Sequence, residues 1–226
     1  PNVLNAELLT KISADGNFRN IVIGQDGPDG YVYESNDGGA TFHRNPDKSI
    51  SVGRYRAVFV SKGKPENKLI VPYYKNTPYK FYRTSGSSQG AYTVIDNIPF
   101  NQVVGLWADD DLKHIFAVTP TTIKYSGDSG ANWNVDFPTF TNIVDVVATI
   151  GNDLVDHTVF ILTNNQFMRC EENCFTTDPN DNSKYTEVDV GGDSYTSIVA
   201  TVNLETLCIS RGTGTEGTIF ISKDYG

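Results

Sequence analysis

An eight-residue pattern returns along this chain at nearly fixed intervals and limits the fold more than any other feature. It reads Ser35-Asn36-Asp37-Gly38-Gly39-Ala40-Thr41-Phe42, then Ser126-Gly127-Asp128-Ser129-Gly130-Ala131-Asn132-Trp133. Ser222-Lys223-Asp224-Tyr225-Gly226 repeats its first five positions. The shared element is Ser-x-Asp-x-Gly, with an aromatic at the eighth position of the two full copies. Asp37 and Asp128 lie 91 residues apart, Asp128 and Asp224 96. Half of either interval matches the ~40–50 residues of a four-stranded repeat unit, so degenerate turns belong midway. Ser85-Gly86-Ser87-Ser88-Gln89-Gly90-Ala91-Tyr92 keeps the serine and the aromatic but carries Ser87 in the aspartate slot. Cys170 to Tyr185 fills the other midpoint, enlarged by an Asn/Asp-rich insertion.

Short runs rich in Val, Ile, Phe, Tyr and Thr occupy the intervals, bounded by Gly, Pro, Asn and Asp, which is the signature of strands and turns. Tyr55–Val60, Lys68–Tyr74, Tyr79–Thr84 and Ala91–Ile95 form one set of four. Val103–Ala108, His114–Thr119, Thr122–Ser126 and Asn132–Phe137 form the next, and Ile143–Thr149, His157–Thr163, Gln166–Cys170 and Lys184–Val190 another. Ser197–Val202, Thr206–Ser210 and Thr218–Ser222 open a further set. With twelve Tyr, twelve Phe and one Met, the composition favours pleated, half-buried surfaces over helices. The expectation is an all-β chain of four-stranded antiparallel units.

The octet resembles the Asp-box, or bacterial neuraminidase repeat, Ser/Thr-x-Asp-x-Gly-x-Thr-Trp/Phe. That resemblance implies a β-propeller whose blades carry Asp-box hairpin turns, about five of them in 226 residues. The expectation is a single β-propeller domain or the N-terminal part of one, with blades near 1–50, 51–98, 99–140 and 141–192 and an incomplete one over 193–226. Ser35, Asp37, Gly39, Thr41 and Phe42 of the first box are expected to be structural, as are Ser126, Asp128, Gly130 and Trp133 of the second and Ser222, Asp224 and Gly226 of the third. Aspartate accepts N–H groups of its own turn, glycine supplies positive φ, and the aromatic packs between blades. The third box stops before its aromatic. Further propeller chain after Gly226 is therefore expected, in preference to closure by Asn2 to Ile12, because an unpaired edge invites association.

Asp-box propellers include sialidases, other glycoside hydrolases, sortilin-type sorting receptors and adhesion proteins, so function must be read from sites. The sialidase pattern calls for an early Phe-Arg-Ile-Pro and three arginines on the substrate carboxylate. Phe18-Arg19-Asn20-Ile21 begins that motif and departs at its third and fourth positions. The seven arginines, Arg19, Arg44, Arg54, Arg56, Arg83, Arg169 and Arg211, each read as strand-surface charges. Arg54 and Arg56 are expected together on the solvent face of one strand. Asp109-Asp110-Asp111 reads as a solvated turn without calcium-loop spacing. His43, His114 and His157 fall in or beside separate strands, so no metal and no cofactor is expected, and no catalytic residue is assigned.

A net charge of −9 and a pI near 4.7 argue against nucleic acid, whose phosphates need clustered Lys and Arg. No apolar stretch reaches the roughly 20 residues of a membrane span. A non-catalytic scaffold for a protein, peptide or glycan ligand is the expected function, in the form of a sortilin-type receptor ectodomain. The alternative is a sialidase-like glycoside hydrolase. Tyr74, Tyr79, Tyr82 and Arg83, in a tyrosine-rich hairpin, are the candidate ligand contacts. The stretch Gly212 to Gly217 resembles sortilin-type propellers. Cys170 and Cys174 are placed for a small disulfide loop, leaving Cys208, and a secreted, extracellular or endomembrane-lumen setting is expected.

Overall fold

The computed structural model describes residues 9–45, 50, 53–73, 79–84, 92–133, 135–137, 139–150, 157–171, 174, 181–201, 203–213 and 216–224. All regular structure among them is strand. The first sheet is β1 (Leu9–Ala14), β2 (Ile21–Gln25), β3 (Val32–Ser35) and β4 (His43–Arg44). The second is β5 (Tyr55–Val60), β6 (Lys68–Pro72), β7 (Tyr79–Thr84) and β8 (Thr93–Ile98). The third is β9 (Gly105–Ala108), β10 (Ile115–Val118), β11 (Ile123–Ser126) and β12 (Val135–Asp136). The fourth is β13 (Ile143–Ile150), β14 (His157–Thr163), β15 (Phe167–Cys170) and β16 (Thr186–Glu187), and the fifth β17 (Tyr195–Ala200), β18 (Leu207–Thr213) and β19 (Glu216–Ser222).

Each sheet runs in chain order, every pair an antiparallel hairpin, so these are five consecutive blades of the β-propeller class. Four are four-stranded and the fifth, among the described residues, is three-stranded. The fourth strands are shorter than the sequence suggests. Asn132–Phe137 and Lys184–Val190 contract to the two-residue ladders of β12 and β16. Among the described residues these strands pair on one side only, and Thr186 and Glu187 are exposed, so little packing rewards a longer ladder.

Two compact units divide the chain: Pro1–Ile115 with Ser126–Trp133, and Phe116–Tyr125 with Asn134–Gly226. In the first, β1 and β2 pack on β5, and β5 packs on β9. Val22 and Val32 meet Tyr55, Val58, Val60, Ile70, Tyr82 and Tyr92 in one apolar core. In the second, β17 packs on β13 and β14. Val159, Phe160, Ile161 and Leu162 of β14 are fully buried there.

Two local devices recur that the octet does not announce. The first strands β1, β5, β13 and β17 each carry a bulge after their first residue, at Thr10, Arg56, Val144 and Thr196. A bulge re-aims the side chain it carries. The turn after the first strand also repeats. In Asp15–Asn20 and Asp109–His114 the aspartate Oδ1 accepts two backbone N–H groups, from Arg19 and Asn20 in one and from Lys113 and His114 in the other. The fourth residue of each turn, Phe18 or Leu112, has positive φ. Thr201 takes the aspartate's place in a third copy, with Leu204 at positive φ.

Candidate functional site

The Ser-x-Asp-x-Gly octets link third to fourth strands. Ser35 Oγ donates to Asp37 Oδ1 at 2.7 Å and accepts Gly39 N–H at 2.9 Å. Asp37 accepts Thr41 N–H at 2.9 Å and the Thr41 hydroxyl at 2.5 Å. In the second copy Ser126 Oγ donates to Asp128 at 2.8 Å and accepts Gly130 N–H at 2.8 Å. Asn132 supplies the two donors that Thr41 supplies in the first, at 2.8 and 2.7 Å. Gly39 and Gly130 have φ of 85° and 87°, where a side chain strains the backbone. Trp133 packs edge-on against Phe81 and Phe100 at 5.4 and 4.9 Å between ring centroids. In the third copy Ser222 Oγ donates to Asp224 at 2.5 Å, while Gly226 lies outside the described residues.

Each full octet is also fastened to the turn after its own sheet's first strand. Gly38 N–H donates to Arg19 O at 3.0 Å, and Ser129 N–H to Lys113 O at 2.9 Å. Arg19 Nε donates to Asn36 O at 3.1 Å. The arginine of the Phe-Arg stretch is thus occupied holding a turn, and Phe18 beside it is exposed.

Asp110 departs from the solvated-turn expectation. Its Oδ1 accepts the buried Ser61 hydroxyl at 2.6 Å and Gly63 N–H at 2.9 Å, and its carbonyl accepts Asn67 Nδ2 at 2.6 Å. Lys62, in the same segment, donates to Ala14 O at 2.6 Å and accepts Gly16 N–H at 3.0 Å. One chain of bonds therefore ties the first turns of the first three sheets. Asp111 is exposed and pairs with Lys64.

The tyrosine-rich hairpin does not form the proposed contact set as a unit. Tyr82 is buried in the apolar core, because its strand position faces the first sheet, and so it is unavailable to a ligand. Arg83 is half-buried and donates Nη1 to Ser129 O at 3.4 Å. Tyr74 and the side chain of Tyr79 lie outside the described residues.

A different cluster gathers where the β2–β3 hairpin meets the start of β5. The bulge at Arg56 turns its guanidinium onto Asp26, with Nε donating at 2.9 Å and Nη2 at 2.8 Å from Oδ2. Arg54 Nε stands 3.5 Å from Asp26 Oδ1. The Arg56 guanidinium lies 4.2 Å from the centre of the Tyr73 ring, and that of Arg44 lies 3.6 Å above Tyr31. Tyr31 closes the hairpin that carries Asp26, donating its N–H to Gln25 Oε1 at 3.1 Å. Close backbone approach holds the corner: a Cβ on Gly30 would fall 2.5 Å from both Gln25 O and Gly53 O. Asp26 is nearly buried, whereas the Arg54 side chain is 48% exposed. Two guanidinium groups thus share one carboxylate, leaving an excess positive charge between tyrosine faces in an acidic chain. Arg54 and Arg56 are therefore not two bare solvent-face charges, as their spacing suggested. Neither Asp26 nor the bulge carries a sequence signature, and only the pair of arginines did.

Cys170 and Cys174 are disulfide-bonded, with Cα atoms 5.7 Å apart, and Cys208 is free. Tyr185 OH donates to Cys174 O at 2.9 Å, and burial raises its pKa. Among the described residues no group of His, Cys, Asp and Glu could hold a metal ion. No helix among them is long and apolar enough to cross a membrane.

No protein-family model matches the chain, and no curated protein matches it. Solved structures do. The Cps50 (Swd1) β-propeller domain of Myceliophteria thermophila is similar with a TM-score of 0.62 at 10% identity, over 93% of this chain and 64% of that one. An ancestral GH74 enzyme is similar at 0.57 and 14%, over 93% of this chain and 35% of that one. A functionally unknown protein from Desulfotomaculum acetoxidans is similar at 0.56 and 13%, over 98% and 71%. At such identities the likeness carries the fold alone, and the fold is that of a β-propeller.

Proposed function

We propose that the chain is a non-catalytic recognition scaffold of the Asp-box propeller kind that binds a protein, peptide or glycan ligand through an anionic group. The observation that carries this reading is the Asp26–Arg54–Arg56–Tyr73 corner. Arginine and tyrosine are enriched where interfaces concentrate their energy, and a guanidinium stacked on a ring is pre-ordered for a planar anion. A receptor ectodomain of sortilin type is the finer form of the proposal. Its support is the Gly212 to Gly217 stretch, whose Gly212 and Gly217 pair at the β18–β19 hairpin. The Cys170–Cys174 disulfide favours an oxidising compartment.

The sialidase-like alternative requires three arginines converging on one carboxylate. Here Arg19 holds Asn36 O, Arg83 Ser129 O and Arg211 Gly191 O, while Arg169 pairs with Glu171. Those commitments leave Arg44, Arg54 and Arg56 as the cationic group, two of them sharing Asp26.

Acidic-peptide and glycan arrays probed with the chain test the proposal. Arg54→Ala and Arg56→Ala should each weaken a captured ligand roughly ten- to a hundredfold, as loss of a charged hydrogen bond does, with melting near wild type for Arg54→Ala. Ligands held equally well by both variants would remove the corner from the binding surface.

A further inference from the structure

The two arginines that meet Asp26 do not play equal parts. Arg56 is committed: its Nε and Nη2 both reach Asp26 Oδ2, at 2.9 and 2.8 Å, and its guanidinium stacks on the Tyr73 ring. Arg54 is not. Its backbone carbonyl accepts Tyr73 N–H, but its side chain makes no hydrogen bond among the described residues. Its charge partner is Asp26 Oδ1, 3.5 Å from Nε, and that oxygen is buried and accepts no hydrogen bond. Asp26 therefore draws Arg54 by charge alone, leaving a half-exposed guanidinium with its N–H donors unspent. Summed over Asp26, Arg54 and Arg56, the corner carries one positive charge. A singly charged anion neutralises it. A doubly charged anion leaves a negative excess beside the Asp26 carboxylate and gives up more hydration on entering.

We infer that Asp26 is a specificity-determining residue: by cancelling one of the two guanidinium charges it fits the corner to carboxylates and sets it against phosphate dianions. This role rests on Arg54 and Arg56 forming the proposed anion-binding corner, and it adds Asp26 to them. A carboxylate brings a single charge and two oxygens that suit a guanidinium fork. Repulsion from a fixed charge is proportional to the charge on the ligand, so removing it helps a dianion twice as much in free energy as a monoanion. The fold gain for the dianion is then the square of the fold gain for the monoanion. Asparagine at position 26 keeps an acceptor oxygen for Arg56, and the Tyr73 ring still holds that guanidinium, so the corner outlasts the loss of the charge.

The test takes one peptide captured from the acidic-peptide array and makes it with glutamate or with phosphoserine at the position that binding needs. Both forms are titrated against wild type, Asp26→Asn and Asp29→Asn by fluorescence anisotropy at about pH 7.5, where the phosphate is a dianion. Wild type should hold the glutamate form at least as tightly as the phosphoserine form. Asp26→Asn should tighten the glutamate form roughly threefold and the phosphoserine form roughly tenfold. Asp29→Asn removes the same charge from an exposed position of the same hairpin and, screened by water and salt, should move neither by more than about twofold. If Asp26→Asn melts early, wild type alone decides. At about pH 5.5 the phosphate, with its second pKa near ~6, is largely singly charged, so the phosphoserine form should gain on the glutamate form. No such gain, equal gains or losses of both forms in Asp26→Asn, an Asp29→Asn effect of the same size, or a wild type that prefers phosphoserine each overturn the inference while leaving the anion site standing. An array that captures nothing overturns the site, and the inference with it.

Discussion

At Asp37 the hydroxyl and N–H of Thr41, joined by the Ser35 hydroxyl, hold the carboxylate well below its ordinary 3.8, at about 2. At Asp128, Asn132 lowers it in the same direction. Because the folded-state value lies below the unfolded one, the Asp37 turn contributes its stability in full above 3.8 and loses it as the pH falls through about 2. Melting temperatures from pH 5 to 2 should therefore fall more steeply for wild type than for Asp37→Asn. Parallel curves would show that the bonds to Thr41 contribute nothing to folding. Asp109, Asp110 and Asp111 separate in the same way once their partners are known. Asp110→Ala leaves the buried Ser61 hydroxyl and Gly63 N–H without their acceptor and should cost ~1–3 kcal/mol in urea unfolding. Asp111→Ala, at an exposed pair with Lys64, should stay within about 0.5 kcal/mol. The sequence shows three identical residues and cannot rank them, because what distinguishes Asp110 is a segment almost fifty positions earlier.

The octets are legible at the scale of elements because everything they need is local: serine, aspartate and glycine bond within eight residues. The fourth sheet shows how far that logic extends. Cys170 ends β15 as Ser35 ends β3 and Ser126 ends β11, and Tyr185 precedes β16 as Phe42 precedes β4. The disulfide from Cys170 to Cys174 spans the same four positions as the Ser35–Gly39 and Ser126–Gly130 hydrogen bonds. A covalent bond stands where the other turns use a hydroxyl. Reduction should lower stability by about 2 kcal/mol, the loop-closure value for so short a ring. Cys170→Ser with Cys174→Gly should recover part of that loss by restoring the serine–glycine bond, and calorimetry against the reduced protein would measure it. A double variant no more stable than the reduced protein would break the equivalence. The bulges at Thr10, Arg56, Val144 and Thr196 were not legible, since threonine, valine and arginine are ordinary strand residues that mark no bulge and the bulge answers to blade packing. For the same reason Tyr82, expected at a ligand surface, lies buried in the core, and the ligand contacts we propose are Arg54 and Arg56. Alternation alone does not say which face of a strand meets the neighbouring sheet.

For the molecule as a whole, blades stacked in sequence draw stability from their neighbours, so a strand that pairs on one edge among the described residues and keeps its apolar side chains exposed should open first. Within the second unit the contrast is direct. β14 is paired on both edges, by β13 and β15, and Val159 to Leu162 are fully buried. β19 pairs with β18 alone among the described residues, and Ile219 and Ile221 are exposed. Amides of β19 should exchange at least roughly a hundredfold faster than those of β14, the ratio that ~2.7 kcal/mol of local stability produces. Hydrogen exchange followed by mass spectrometry resolves the two strands. Equal exchange of β14 and β19 would mean that pairing on both edges and the burial of Val159 to Leu162 give β14 no local stability beyond that of β19.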